Sequence, residues 1–177
     1  EGASTRRIAE AASVNPALIT HHFGGKDGLW RAVAEEVFER YEERIQVRQA
    51  GLEGVDEPTQ LRLLLREFIL FAARTPELHR FMIQANQGDP ERLDWLVDRF
   101  VRTGNTGAVF ERAQVLGLFP AGDPMHLRYL FIGAATSIFI FSGELERLGD
   151  VDPFDENTIE KHIDLVLALF LKEEAND

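Results

Sequence analysis

Apolar residues recur along this chain at intervals of three and four, and no two-residue alternation persists, so the elements the pattern predicts are all helices. The stretch "STRRIAEAA" predicts a short helix with Ile8, Ala9 and Ala12 on one face. Asn15 is a good N-cap, and Pro16 then stands at the first helical position, where its missing N–H costs nothing. That second helix runs to Phe23 and stops at Gly24-Gly25, because a left-handed cap favours glycine. A longer helix follows from Asp27 to about residue 48, carrying Leu29, Trp30, Val33, Val37, Phe38, Tyr41 and Ile45 at helical spacing. After a loop at Gln49–Pro58, further helices are expected at about 58–75, 77–87, 90–117, 123–148 and 155–173. Pro58, Pro76, Pro90, Pro124 and the acidic cap Asp155 mark their starts, and Thr103–Gly107 is expected to break or bend the 90–117 helix.

Composition narrows the chemistry. With no cysteine, disulfides, zinc–cysteine sites and thiol catalysis are excluded, and a reducing cytoplasm is the expected location. The most apolar run, Tyr129–Phe141, is too short to span a bilayer, so no membrane partner is expected. No G-x-S-x-G, phosphate-loop or dinucleotide glycine pattern occurs. Glu77 and His79, like Glu160 and His162, stand two residues apart rather than the three of a di-iron bundle. The expectation is no catalytic residue, no metal and no cofactor. The adjacent His21 and His22 point about 100° apart on a helix and rarely share an ion.

A net charge of −11 argues against nucleic acid until its distribution is considered. From Ser4 to Gly28 the charges are Arg6, Arg7 and Lys26 against Glu10 and Asp27, slightly positive, and the acid lies beyond. Binding to phosphates is therefore confined to the N-terminal end. There, two short helices joined by "SVN" have the layout of a helix-turn-helix. Ala9 and Ala12 let the helices cross, and Val14, Ile19 and Phe23 are the expected anchors behind the second one. Its opposite face carries Ala17, Leu18, Thr20 and His21, short enough to approach base edges.

The stretch "TRRIAEAASVNPALITHHFGGKDGL", Thr5 to Leu29, resembles the TetR family of bacterial transcriptional regulators. Thr5, Ile8, Ala9, Ala12, Val14, Ile19, His22, Phe23, Lys26 and Leu29 fall in register with the family pattern without a gap. Three features depart from it: Ser13 stands where the family has glycine, Thr20 where it has tyrosine, and only "EGAS" precedes Thr5 where the family has a further helix. The helix-turn-helix domain, residues 1–28, thus reads as partial, its first helix missing, with the 27–48 helix as connector to a larger domain at 49–177.

The resemblance implies roles. Thr5, as N-cap of the first helix, would donate to a phosphate, and Arg6 would lie along the groove. Ala17, Leu18, Thr20 and His21 would form the reading face, while His22 and Lys26 would hold the DNA backbone. The larger domain would bind a mostly apolar small-molecule effector, with candidate lining residues Phe68, Phe71, His79, Met82, Gln84, Asn86, Phe100, Phe110, His126 and Tyr129. The last two helices would form a homodimer surface, with Tyr129, Gly133, Ala134, Ser137, Ile159, Ile163, Val166 and Phe170 as candidates and Leu165 and Leu169 beside them. A two-fold dimer would place two reading heads on a palindromic operator in double-stranded DNA, and the effector would release it. The competing reading is a helical small-molecule-binding or dimerisation module that does not bind DNA.

Overall fold

The computed structural model describes residues 4–102, 106–149 and 151–172. Among the described residues all regular structure is helical: α1 (Thr5–Ala11), α2 (Pro16–Phe23), α3 (Lys26–Ala50), α4 (Glu57–Arg74), α5 (Pro76–Gln87), α6 (Pro90–Leu96), α7 (Thr106–Val115), α8 (Pro124–Ile140), α9 (Ser142–Leu148) and α10 (Glu156–Phe170). Side-chain caps start most of them. Asn15, Asp56, Asp89, Asp123 and Asp155 each accept from a backbone N–H of the first turn, and α2, α4, α5, α6 and α8 carry proline at their first or second position.

Two expected helices are divided. The 90–117 segment is α6, a π-helical turn at Val97–Val101, and α7. Of the break expected at Thr103–Gly107, residues 103–105 lie outside the described residues. The 123–148 segment bends by 61° between α8 and α9. The hinge residue Phe141 leaves the helical range at φ −94° and ψ 22°, next to a Ser142-Gly143 pair of the kind that interrupts helices. Among the described residues no single helix is long and apolar enough to cross a membrane.

The chain divides into two compact units, Glu1–Glu42 and Glu43–Asp177, with the border inside α3. In the first unit, here called the head, α1 and α2 pack on each other, and Ala9, Ile19, Ala34 and Val37 are buried. The expected anchors Val14 and Phe23 are instead 41% and 39% exposed. Two helices of seven and eight residues share a face large enough to enclose about one residue from each, and Ala9 and Ile19 take those places.

In the second unit, here called the body, α4, α7, α8 and α10 surround one core. Phe131 on α8, 1% exposed, is its hub, with ring centroids 5.8 Å from Phe68, 5.5 Å from Phe110 and 5.4 Å from Phe170. Polar ties fasten its edges. Arg66 on α4 donates to Glu160 on α10 at 2.6 Å, and Arg112 on α7 donates through Nη2 to Glu57 on α4 at 2.6 Å. The carboxylate of the buried Glu67 receives Arg44 from the last turns of α3.

Candidate functional site

The head is built from its turns. Helix α1 is capped by Ser4, whose Oγ accepts from the Arg7 N–H at 3.2 Å. Thr5 is therefore the first helical residue and not the N-cap expected from the sequence, since the hydroxyl that satisfies the orphan donor belongs to the residue before it. At the other end of α1, Ser13 N–H donates to Glu10 O at 3.1 Å and Val14 N–H to Ala9 O at 2.9 Å. That pair of bonds is a Schellman closure, which requires the left-handed residue that Ser13 supplies at φ 56°.

The exit from α2 is equally constrained. Gly24 caps it at φ 71°, and Gly25 follows at φ 126°. Gly28, in the first turn of α3, passes so close to α2 that a Cβ there would stand 1.7 Å from the Phe23 carbonyl oxygen. Three glycines thus fix how the end of α2 meets the start of α3.

The candidate reading residues lie on the surface this arrangement leaves open. Ala17, Leu18, Thr20, His21, His22 and Lys26 are all exposed, Leu18 to 44%. The His21 and His22 rings meet edge to face with centroids 5.1 Å apart. Arg6 is exposed and pairs with Glu10 one turn along α1 at 3.5 Å. A solvated pair of that kind is worth little and yields readily to a phosphate or base edge.

In the body, the structure brings some candidate effector residues together and disperses others. His79 on α5 is 7% exposed and meets Phe68 on α4 with ring centroids 6.1 Å apart. Through Phe131, that pair joins Phe110. Burial holds the His79 imidazole neutral, its pKa lowered from 6.5 to about 4. Its Nε2 is buried and makes no hydrogen bond among the described residues. An unmade bond of this kind costs roughly 1–3 kcal/mol. Met82, one turn on, is half-buried, and Phe71 is enclosed at 4% exposure. Phe100, also at 4%, packs against Trp95 on α6 with centroids 5.7 Å apart.

Gln84, Asn86, His126 and Tyr129 do not line an enclosed wall. Asn86 is exposed and donates to its own helix at Met82 O, 2.8 Å. His126 and Tyr129 are exposed because Leu127, Phe131, Ala135 and Phe139, four residues apart, take the inward stripe of α8. The sequence reading missed Phe131, although that four-residue recurrence was the signal for it.

The candidate dimer residues divide likewise. Ile159, Ile163 and Val166 are 7%, 0% and 2% exposed, so they belong to the core of their own chain and are corrected as surface candidates. Helix α10 turns these residues towards α4 and α8 and leaves Leu165 and Leu169 outside, 60% and 66% exposed. Tyr129 is 59% exposed and Leu130 62%, Gly133 is open, and Ala134, Ser137 and Phe170 are half-buried. His162 Nε2–H donates to the Ala135 carbonyl at 3.2 Å, fastening α10 to α8, and burial lowers its pKa.

Comparison with known proteins agrees with this geometry. Two curated relatives align with parts of the chain. A probable helix-turn-helix-type transcriptional regulator, YttP of Bacillus subtilis (strain 168), is 30% identical over 81 residues, 46% of this chain and 39% of that protein. RaaS, a helix-turn-helix-type transcriptional regulatory protein of Mycobacterium tuberculosis, is 55% identical over 40 residues, 20% of this chain and 19% of that protein. The chain therefore matches well under half the length of either.

Solved structures extend the likeness in fold to nearly the whole chain. Apo AibR superposes with a TM-score of 0.69 at 22% identity, covering 96% of this chain and 88% of that one. The ketosteroid transcriptional regulator KstR2 of Mycobacterium tuberculosis gives a TM-score of 0.65 at 15% identity, covering 97% and 86%. Residues 1–33 match the family model for bacterial regulatory proteins of the tetR family. The Thr5–Leu29 motif lies within that match, so the N-terminal residues are similar to the tetR family of bacterial regulatory proteins, and the helical fold of the chain is similar to that of the solved regulators.

Proposed function

We propose that this protein is a sequence-specific DNA-binding transcriptional regulator, a ligand-responsive repressor that binds a palindromic operator as a homodimer in the cytoplasm. The observation that carries the reading is the α2 surface, where Ala17, Leu18, Thr20 and His21 stand exposed between a Schellman turn and a glycine stop. Short side chains there let the helix enter a major groove, with Arg6 and Lys26 at its margins for phosphate or base edges. Thr5, at the start of α1, and His22 serve the DNA backbone in the same reading.

The body supplies the remaining roles. The exposed apolar residues Tyr129 and Leu130 on α8 and Leu165 and Leu169 on α10 suit a second copy of the chain, since helices apolar on two faces need two partners. A small, mostly apolar effector is assigned to the helices between residues 58 and 130. Helix α3 runs unbroken from Lys26 to Ala50, and its Arg44 is held by the buried Glu67 of α4. In this reading a shift of α4 on effector binding moves Arg44, changes the spacing of the two heads, and so lowers operator affinity.

Selection from random duplex DNA with the full-length protein tests the proposal. An enriched inverted repeat is expected, and its absence would count for a helical module that does not bind DNA. On the selected site, Lys26→Ala is expected to weaken binding to all sequences and flatten the salt dependence, whereas Arg6→Ala relaxes the preference at one base position.

A further inference from the structure

Among the described residues of the body, His79 carries a buried ring nitrogen without a hydrogen-bond partner. His79 Nε2 is enclosed on the inner side of α5, beside the Phe68 ring, which in turn leans on Phe131. A phenylalanine at this position would fill similar space without stranding a nitrogen. Buried polar atoms left unbonded are rare in folded chains, and each calls for an explanation, a bond to a bound molecule being one. The surroundings fix what kind of bond that is. The rings that meet there are apolar, and burial keeps the imidazole uncharged at neutral pH, so it offers one hydrogen bond and no charge.

Resting on the reading that the body binds an effector, we infer that His79 Nε2 is the polar anchor of that site. The effector it selects is an uncharged amphiphile, an apolar body carrying one hydroxyl or carbonyl group. A carboxylate brought to the same place would lose its water and meet a neutral ring among phenylalanines, which offers it one hydrogen bond and no charge. An ammonium group fails for the same reason. A hydroxyl accepts or donates a single bond, and a carbonyl accepts one, at little desolvation cost. Phe68, Phe110 and Phe131 then provide the apolar wall for the rest of the molecule, and the adjacent Met82 supplies a flexible side chain that adapts to its shape.

A matched eight-carbon series separates the classes: 1-octanol, octanoate and octylammonium, each titrated calorimetrically into the full chain at pH 7.5. Octanol is expected to bind, with octanoate and octylammonium roughly tenfold or more weaker. Replacing His79→Phe is expected to weaken octanol by roughly three- to tenfold, the worth of one neutral hydrogen bond, with His79→Gln recovering part of the loss. On the unaltered protein, the ¹⁵N resonance of His79 Nε2 is expected to move on octanol addition, a readout that stands even where the variants fold poorly. Octanoate binding as tightly as octanol overturns the inference. So does octanol binding that leaves the Nε2 resonance unmoved, although the body then remains an effector domain. Failure of all three probes to bind removes the effector reading together with the anchor.

Discussion

In the head, Ala9, Ile19, Ala34 and Val37 are the buried apolar residues, and large side chains such as Val14, Leu18 and Phe23 stand about two-fifths exposed. In the body, Phe131, Phe139, Ile69, Leu96, Ile163 and Val166 are fully enclosed, and phenylalanine rings meet one another across α4, α7, α8 and α10. One unit takes its shape from turns and caps, the other from packing. The difference fits the tasks proposed for the two units. A surface that reads a groove must keep its side chains outside, so its geometry is set by backbone hydrogen bonds and by a few residues in unusual conformations. A body that encloses a ligand keeps its side chains inside and is held by them. Substitutions should therefore separate the two units: volume changes damage the body, and backbone changes damage the head.

The largest effect is expected at the hub of the body. Phe131→Ala removes a ring that touches Phe68, Phe110 and Phe170 at once, and its loss should cost about 3–5 kcal/mol of unfolding free energy. Denaturant titration followed by circular dichroism measures it. A cost below about 1 kcal/mol would mean that the ring network is not what holds the body. The next effect depends on pH. Because the His79 pKa is lowered to about 4 from 6.5 in the folded chain, the unfolded chain binds more protons between those values. Stability should then fall as pH falls through that window, by about 2–3 kcal/mol at pH 4 from this group alone. The His79→Phe variant lacks the group, so the difference between the two stability–pH curves isolates it. Parallel curves would show that the imidazole is not held neutral by burial.

Much of the helical order was legible in the sequence because helix ends are local chemistry. Asn15 with Pro16, Asp123 with Pro124, and Asp155 carry their own hydrogen bonds and fix where helices start, whatever surrounds them. What was illegible depended on which partner an apolar face would meet. Ile159, Ile163 and Val166 read as a surface for a second chain because periodicity reports that a stripe is covered but not by what. They are covered by their own chain, and the neighbouring Leu165 and Leu169 carry the exposure. The bend at Phe141 was hidden in the same way, since the apolar run continues through it. In the candidate DNA site, the exposure of the candidate reading residues was visible as a pattern. Their support was less so, because Ser13 shows its backbone conformation only once the Val14-to-Ala9 bond is seen.

The backbone rule for the head is tested at Gly28. A methyl group there would meet the Phe23 carbonyl, which is backbone and has no rotamer to change, so α2 and α3 must separate. Gly28→Ala should destabilise the head by about 1–3 kcal/mol, as overpacked sites do. Hydrogen exchange of the amides from residue 16 to residue 29 should quicken while those of α8 and α10 keep their protection. Equal quickening in both units would break the comparison.

The smallest effect has the opposite sign. Ser13 sits at φ 56° as the left-handed residue of the Schellman closure, where the side chain crowds the following carbonyl. Glycine at this position removes that conflict and keeps both closing bonds, which are made by the backbone alone. It also frees the unfolded chain, which offsets part of the gain. Ser13→Gly should therefore stabilise the head by up to about 1 kcal/mol, with slower amide exchange at Val14 and no change in the thermal transition of the body. A stabilisation spread over both units would mean that the turn is not local to the head. A loss of stability would mean that the serine hydroxyl contributes a bond worth more than the strain, and the family's glycine at this position would then need another explanation than backbone conformation.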